Sequence, residues 1–307
     1  MSPLTAHTER QAEGLRKRLR AAGLPLGVYV GMRNWRPFLR DTLAAMSRDG
    51  VRRAIGFIAA AHRSYSSCTQ YKENVAEARA AVRAMGLADV EVTYVSDWHT
   101  HPDFIAANAE HVRTARARLP RALRDRARLV FTAHSIPVSM AERYPYRAQF
   151  EETARLIDEE VRLKPDTTPD TTTPDTTTPD TTTPDTTGDL TGVVSGFSRT
   201  FDTVYQSRSG RPEDPWLGPD VCDYLREQRA RGLEAALLCP AGFLCDHVEV
   251  LYDLDVEAAD VAREIGLPMV RAQAVNDHPR FLDMICHVVL DTYARYDHST
   301  PLQIVAG

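Results

Sequence analysis

The apolar positions of this chain follow two rhythms that take turns. Over residues 2–23, Leu15 and Leu19 share a helical face, Ser2 can cap, Pro3 suits a first turn and Gly23 ends the stretch, which predicts a helix. The apolar run 26–30 predicts a strand. A second helix is expected from about Pro37, carrying Phe38, Leu39, Leu43 and Met46 inward and stopping at Gly50, before an apolar strand at 54–60. Further strand-like runs at 90–95, 128–132, 203–205 and 235–238 are separated by helical or polar stretches. Strands that alternate with helices build parallel sheets covered on both faces, so the pattern predicts an α/β protein.

One segment breaks both rhythms. From Pro165 to Thr187 the chain repeats Pro-Asp-Thr-Thr, mostly with a third Thr, and carries no aliphatic or aromatic residue. Prolines remove amide donors and Asp-Thr pairs favour local turns. The expectation is a low-complexity flexible insertion over 163–200, between two elements otherwise joined directly.

The length of 307 residues points to two lobes of roughly 100–150 residues each. Hydrophobic residues at 43% and charged residues at 26% are the balance of a globular protein. With 37 basic against 42 acidic residues, the net charge of -5 leaves no broad cationic field for nucleic acid or an anionic membrane, which favours a small-molecule substrate. The start Met1-Ser2-Pro3-Leu4-Thr5 has no signal pattern and no apolar run approaches the ~20 residues of a membrane span, so a cytoplasmic protein without an integral membrane segment is expected. Five scattered cysteines (Cys68, Cys222, Cys239, Cys245, Cys286) form no Cys-x-x-Cys pair, which argues for reduced, mostly buried thiols.

Three segments carry candidate chemistry. In Phe131-Thr132-Ala133-His134-Ser135-Ile136-Pro137, His134 follows an apolar run and falls at the carboxyl end of a strand, where open α/β sheets bind ligands. Behind the run 235–238, Asp246, Glu249, Asp253 and Glu257 recur at spacings of three or four, which would stack four carboxylates on one helical face. Phe243, Leu244, Val250, Leu251 and Tyr252 surround these acids with apolar bulk, and a partly buried acid row suggests a cation or proton path. The third segment, Tyr205-Gln206-Ser207-Arg208 with Trp216-Leu217-Gly218-Pro219, reads equally well as surface charge and core. His99 and His101 resemble a metal pair without a third ligand and are read as surface histidines.

Together these segments resemble the ferrochelatase family. Val28-Tyr29-Val30-Gly31-Met32-Arg33 through Phe38 is similar to its early strand-to-helix segment, and Ala133-His134-Ser135-Ile136-Pro137 to its histidine motif. The Gln206 and Trp216 segments resemble its central motif, and Gly242-Phe243 with Asp246-His247-x-Glu249 its acidic one. The resemblance implies two Rossmann-like lobes with parallel sheets and a porphyrin cleft between them. The first lobe is expected at 1–59 plus 277–307, with the carboxyl-terminal helix returning to it, and the second at 60–276.

It also implies a lyase that inserts Fe2+ into coproporphyrin III or protoporphyrin IX in heme biosynthesis, with iron and porphyrin as substrates. His134 and Glu249 match the catalytic and metal pair, Ser2 and Tyr71 match porphyrin contacts, and His247, Asp253 and Glu257 match the neighbouring proton or metal path. Two N–H protons must leave a free-base porphyrin as iron enters, which calls for a base and a metal donor that can let go. No tightly bound cofactor is expected, nor an iron-sulfur cluster, because no cysteine follows Cys286 and the others lack a cluster spacing. The expected state is a monomer in transient contact with other heme-pathway proteins. Arg63-Ser64-Tyr65-Ser66-Ser67-Cys68 leans towards the coproporphyrin branch. Because Met1-Ser2-Pro3 matches a segment that follows the family's first strand, loop and helix, a start further upstream or a damaged copy is expected. The rival functions are an inactive tetrapyrrole-binding fragment and a related cobalt chelatase.

Overall fold

A computed structural model describes residues 3–163, 201–211 and 213–297. Ser2 and the expected insertion, apart from Leu163, lie outside the described residues. Helix α1 (Leu4–Ala21) starts after Pro3 and is closed by Gly23 at φ +76. The run 26–30 is not a strand. Its carbonyls are met by side chains instead of a ladder: Arg16 donates to Val28 O at 2.7 Å and Thr42 to Val30 O at 2.7 Å.

Helix α2 (Leu39–Arg48) leads to β1 (Arg53–Gly56), shorter than expected. A π-helical turn, Tyr65–Thr69, opens α3 (Gln70–Ala84), and β2 (Glu91–Tyr94) pairs parallel with β1. The expected boundary at residue 60 falls between these two paired strands. Leu43 and Ala44 of α2, Ala78 and Val82 of α3, and Val90 form the core on one face, joined by Ala54 and Val92. Ile55, on the opposite side of the pleat, joins the larger core instead.

The second sheet contains β3 (Ala127–His134), β4 (Phe201–Gln206), β5 (Ala235–Cys239) and β6 (Met269–Arg271), parallel in the order β4-β3-β5-β6. Because both faces are covered, alternate residues of one strand enter different cores. Phe131 and Leu237 meet α4 (Pro102–Arg116), α6 (Tyr146–Leu163) and α10 (Pro279–Asp297). Val130 and Leu238 meet α7 (Val221–Ala230) and the segment 248–264. Helix α10 packs on both α1 and α4. Gln11 of α1 adds a hydrogen bond to Asn276 O at 2.7 Å. Among the described residues no helix is long and apolar enough to cross a membrane.

Candidate active site

His134 is the last residue of β3, opposite Gln206 in the ladder. Pairing continues beyond it: Ser135 N donates to Gln206 O at 2.8 Å, Leu217 N to Ile136 O at 2.9 Å and Val138 N to Pro215 O at 2.9 Å. The Trp216–Pro219 motif is therefore a backbone brace for the loop after His134. A Ser135 hydroxyl bond to Leu217 O at 2.7 Å completes it.

That loop also fixes the imidazole. Nδ1 of His134 lies 2.5 Å from Ser135 O, and a carbonyl only accepts, so Nδ1 carries the proton. Nε2 points the other way and stands 3.9 Å from Glu249 Oε2. Tyr146 donates its phenol to His134 O at 2.9 Å, which holds the backbone from the α6 side.

Glu249 arrives from the next strand. After β5 the chain turns through Gly242, whose amide donates to Thr132 O at 3.0 Å. A Cβ at Gly242 would sit 2.4 Å from Ala133 Cβ, so the glycine lets this turn lie directly on β3 beside His134. Phe243 is buried between the two histidines, its ring 6.4 Å from that of His134 and 5.3 Å from that of His247. His247 caps the short helix α8 (Val248–Tyr252), whereas α5 (Val138–Ala141) follows the His134 loop; it accepts from Glu249 N at 3.2 Å and also stands 3.9 Å from Glu249 Oε2. Burial pushes the His247 imidazole below its ordinary value, Glu249 opposes this and His134 reinforces it, so the ring is neutral when it accepts the amide.

The expected four-acid face does not form. Asp246 precedes the cap and turns into the protein, accepting from Arg271 Nη1 at 2.7 Å, Asn276 Nδ2 at 2.8 Å and Ala274 N at 3.3 Å. Asp253 opens a π-helical turn (Asp253–Glu257) that leads into α9 (Ala258–Glu264) and shifts the helical register. Its carboxylate accepts from Ser207 Oγ and from Gln206 Nε2 at 3.2 Å. Gln206 is itself buried and accepts from Thr132 Oγ1 at 2.8 Å, while Ser207 adopts φ 59 to reach Asp253. Glu257 is exposed at the far end of the turn.

Tyr71 lies in the first turn of α3 beneath the Arg33 guanidinium, 4.8 Å from ring centroid to Cζ. Arg33 also bonds Ser66 O at 3.1 Å and Asn74 Oδ1 at 3.0 Å. The link to the His134 loop runs through side chains: Thr69 Oγ1 donates to Tyr144 Oη at 3.3 Å, and Ser66 Oγ reaches Met140 Sδ at 4.0 Å. A cavity of about 170 Å³ opens near the carboxyl ends of β1 and β2, lined by residues including Arg63, Lys72 and Trp98, and no predicted site residue lines it. The chemistry, not the cavity, marks the site.

His99 departs from the surface reading. Its side chain is mostly buried and lies 3.1 Å from Glu152 Oε2, whereas His101 bonds His287 at 2.9 Å. Among the described residues no group of three or more His, Cys, Asp or Glu side chains converges to hold a metal.

A family model described as Ferrochelatase matches residues 1–293. The chain belongs to the ferrochelatase family. It is 38% identical over 301 residues to the coproporphyrin III ferrochelatase of Streptomyces coelicolor, covering 95% of this chain and 72% of that one. Against the ferrochelatase of Rhodopirellula baltica it is 37% identical over 303 residues, covering 98% and 75%. A coproporphyrin III ferrochelatase of Nocardia farcinica is 39% identical over 290 residues, covering 94% and 74%. Among solved structures, SirB from Bacillus subtilis with Fe3+ superposes with a TM-score of 0.56 at 11% identity, covering 96% of this chain and 94% of that one. At that identity the likeness is one of fold, the chelatase arrangement of parallel sheets. Ferrochelatases are lyases that insert ferrous iron into a porphyrin in heme biosynthesis.

Proposed function

We propose that this chain inserts Fe2+ into coproporphyrin III, with His134 and Glu249 at the reacting atoms. The observation that carries the reading is the facing pair itself: His134 Nε2 and a half-exposed Glu249 carboxylate 3.9 Å apart, at the carboxyl end of a parallel sheet. Two relatives bearing the coproporphyrin name support the choice of porphyrin.

The chemistry balances without redox change. One ferrous ion enters, two pyrrole N–H bonds break, and two protons leave. His134 Nε2 accepts the two protons in turn, and each time Glu249 stabilises the resulting imidazolium and passes the proton on to solvent. Neutral imidazole and carboxylate also suit ferrous iron as donors that release it. His247 and Asp253 hold the Glu249 helix, Glu257 stands at its exposed end on the cation's approach, and Tyr71 and Ser2 contact the macrocycle. The reading includes no tightly bound cofactor and places the enzyme in the cytoplasm.

The test is anaerobic metallation followed by porphyrin absorbance, with Fe2+ or zinc and with coproporphyrin III or protoporphyrin IX. The wild type is expected to metallate coproporphyrin III faster. His134→Ala and Glu249→Gln are each expected to fall by about 100-fold or more while still folded. Porphyrin binding without product would support an inactive tetrapyrrole binder instead, and turnover of only a corrin precursor with Co2+ would support a cobalt chelatase.

A further inference from the structure

We infer that Arg271, whose hydrogen bonds go to neither His134 nor Glu249, is a positioning residue that sets the separation of that pair; the inference rests on the metallation reading above. Arg271 ends β6, and its side chain is 12% exposed. Its guanidinium forks onto Asp255, with Nε to Oδ1 and Nη2 to Oδ2 both at 2.6 Å. The remaining nitrogen, Nη1, reaches Asp246 Oδ1 at 2.7 Å.

These two carboxylates flank the Glu249 segment. Asp246 immediately precedes the His247 cap, Asp255 lies inside the π-helical turn, and Glu249 falls between them. One group fixed to a strand therefore holds both ends of the segment that carries the reacting carboxylate. Helix α8 runs on without a break through the π-helical turn into α9, so Asp255 belongs to the same helical stretch as Glu249, and a hold on Asp255 and Asp246 fixes where that stretch starts and how it is directed. The anchors are themselves held: Asn276 Nδ2 and Ala274 N bond Asp246, and the Arg118 side chain bonds Arg271 O. Burial disfavours the Arg271 charge, yet Asp255 and Asp246 more than offset it and raise its pKa above the ordinary value. Bidentate geometry of this kind is specific to arginine, so lysine would keep the charge and lose the fork.

The experiment compares wild type, Arg271→Lys and Asp255→Asn by crystal structure and by metallation kinetics with coproporphyrin III. The proposal expects the His134 Nε2 to Glu249 Oε2 distance in Arg271→Lys to depart from 3.9 Å by about 1 Å. It expects kcat to fall about 10- to 100-fold, with the porphyrin KM within about twofold of wild type. Asp255→Asn, which keeps the Asp246 contact, gives a smaller loss of the same kind and serves if the lysine variant does not fold. An unchanged distance with unchanged kcat, or a loss confined to KM or to thermal stability, would overturn the clamp. A wild type that forms no metalloporphyrin would instead overturn the functional reading, and the variant structures would still decide the clamp.

Discussion

At the carboxyl end of the second-lobe sheet, backbone hydrogen bonds run past the last strand residue: Ser135, Ile136 and Val138 pair onward with Gln206, Leu217 and Pro215. In the first lobe β1 stops at Gly56, and the turn leading to Tyr71 reaches the His134 loop through the side chains of Ser66 and Thr69. A ladder fixes a side chain's origin because every amide along it is directional, whereas rotatable side-chain contacts let a surface adjust. Under the proposed function, the second lobe would hold the reacting pair and the first would present a more adaptable wall to the macrocycle.

The strongest way to break this contrast is Gly242→Ala. Its Cβ would meet backbone at Ala133 Cα, 2.5 Å away, so the turn carrying Glu249 must lift off β3. We expect about 1–3 kcal/mol of lost stability by urea unfolding and about 100-fold lower kcat. Wild-type activity in this variant would show that the close approach does not position Glu249.

A second test addresses the joint between the two regions. His62, from the segment after β1, is buried, packs against Tyr146 and Phe150, and bonds Thr153 of α6 at 3.0 Å. Burial lowers its pKa from 6.5 to about 3, with the neighbouring His99 adding to the effect. The unfolded chain therefore takes up the proton first as pH falls. The stabilisation is full above about pH 6.5 and is lost as pH falls from there towards about 3, at most by about 1.4 kcal/mol per unit. Urea midpoints at pH 7 and pH 5 should show the fall, and His62→Gln should flatten it; an equal slope in the variant would rule His62 out as its source.

The smallest effect is expected on the adaptable side. Tyr71→Leu removes the ring under Arg33, a contact worth about 0.5–1 kcal/mol, and should weaken coproporphyrin binding by about two- to fivefold in fluorescence titration, with kcat within about twofold. A collapse of kcat would place Tyr71 with the fixed machinery instead.

The second-lobe strands were legible within a few residues because strands buried on both faces are continuous apolar runs, as at 128–132 and 235–238. Three-residue β6 gave no such run, and 26–30 lacked a ladder partner despite its apolar pattern. His134 was legible from its place at the end of β3. The acid row was not, because a helical spacing assumes one uninterrupted helix, whereas this segment starts after Asp246 and passes through a π-helical turn. The Arg271 clamp joins positions 25 and 16 residues apart in sequence, a pairing no local pattern encodes. Gln206 and Ser207 stood out as part of a motif, but their role as donors to Asp253 needed the fold.

The most direct test of the facing pair is a double-mutant cycle on metallation of coproporphyrin III with His134→Ala, Glu249→Gln and the two combined, each checked for native fold. If the two act as one unit, the double variant is within about threefold of the slower single variant. Losses that multiply, or a single variant with wild-type kcat, would contradict the account.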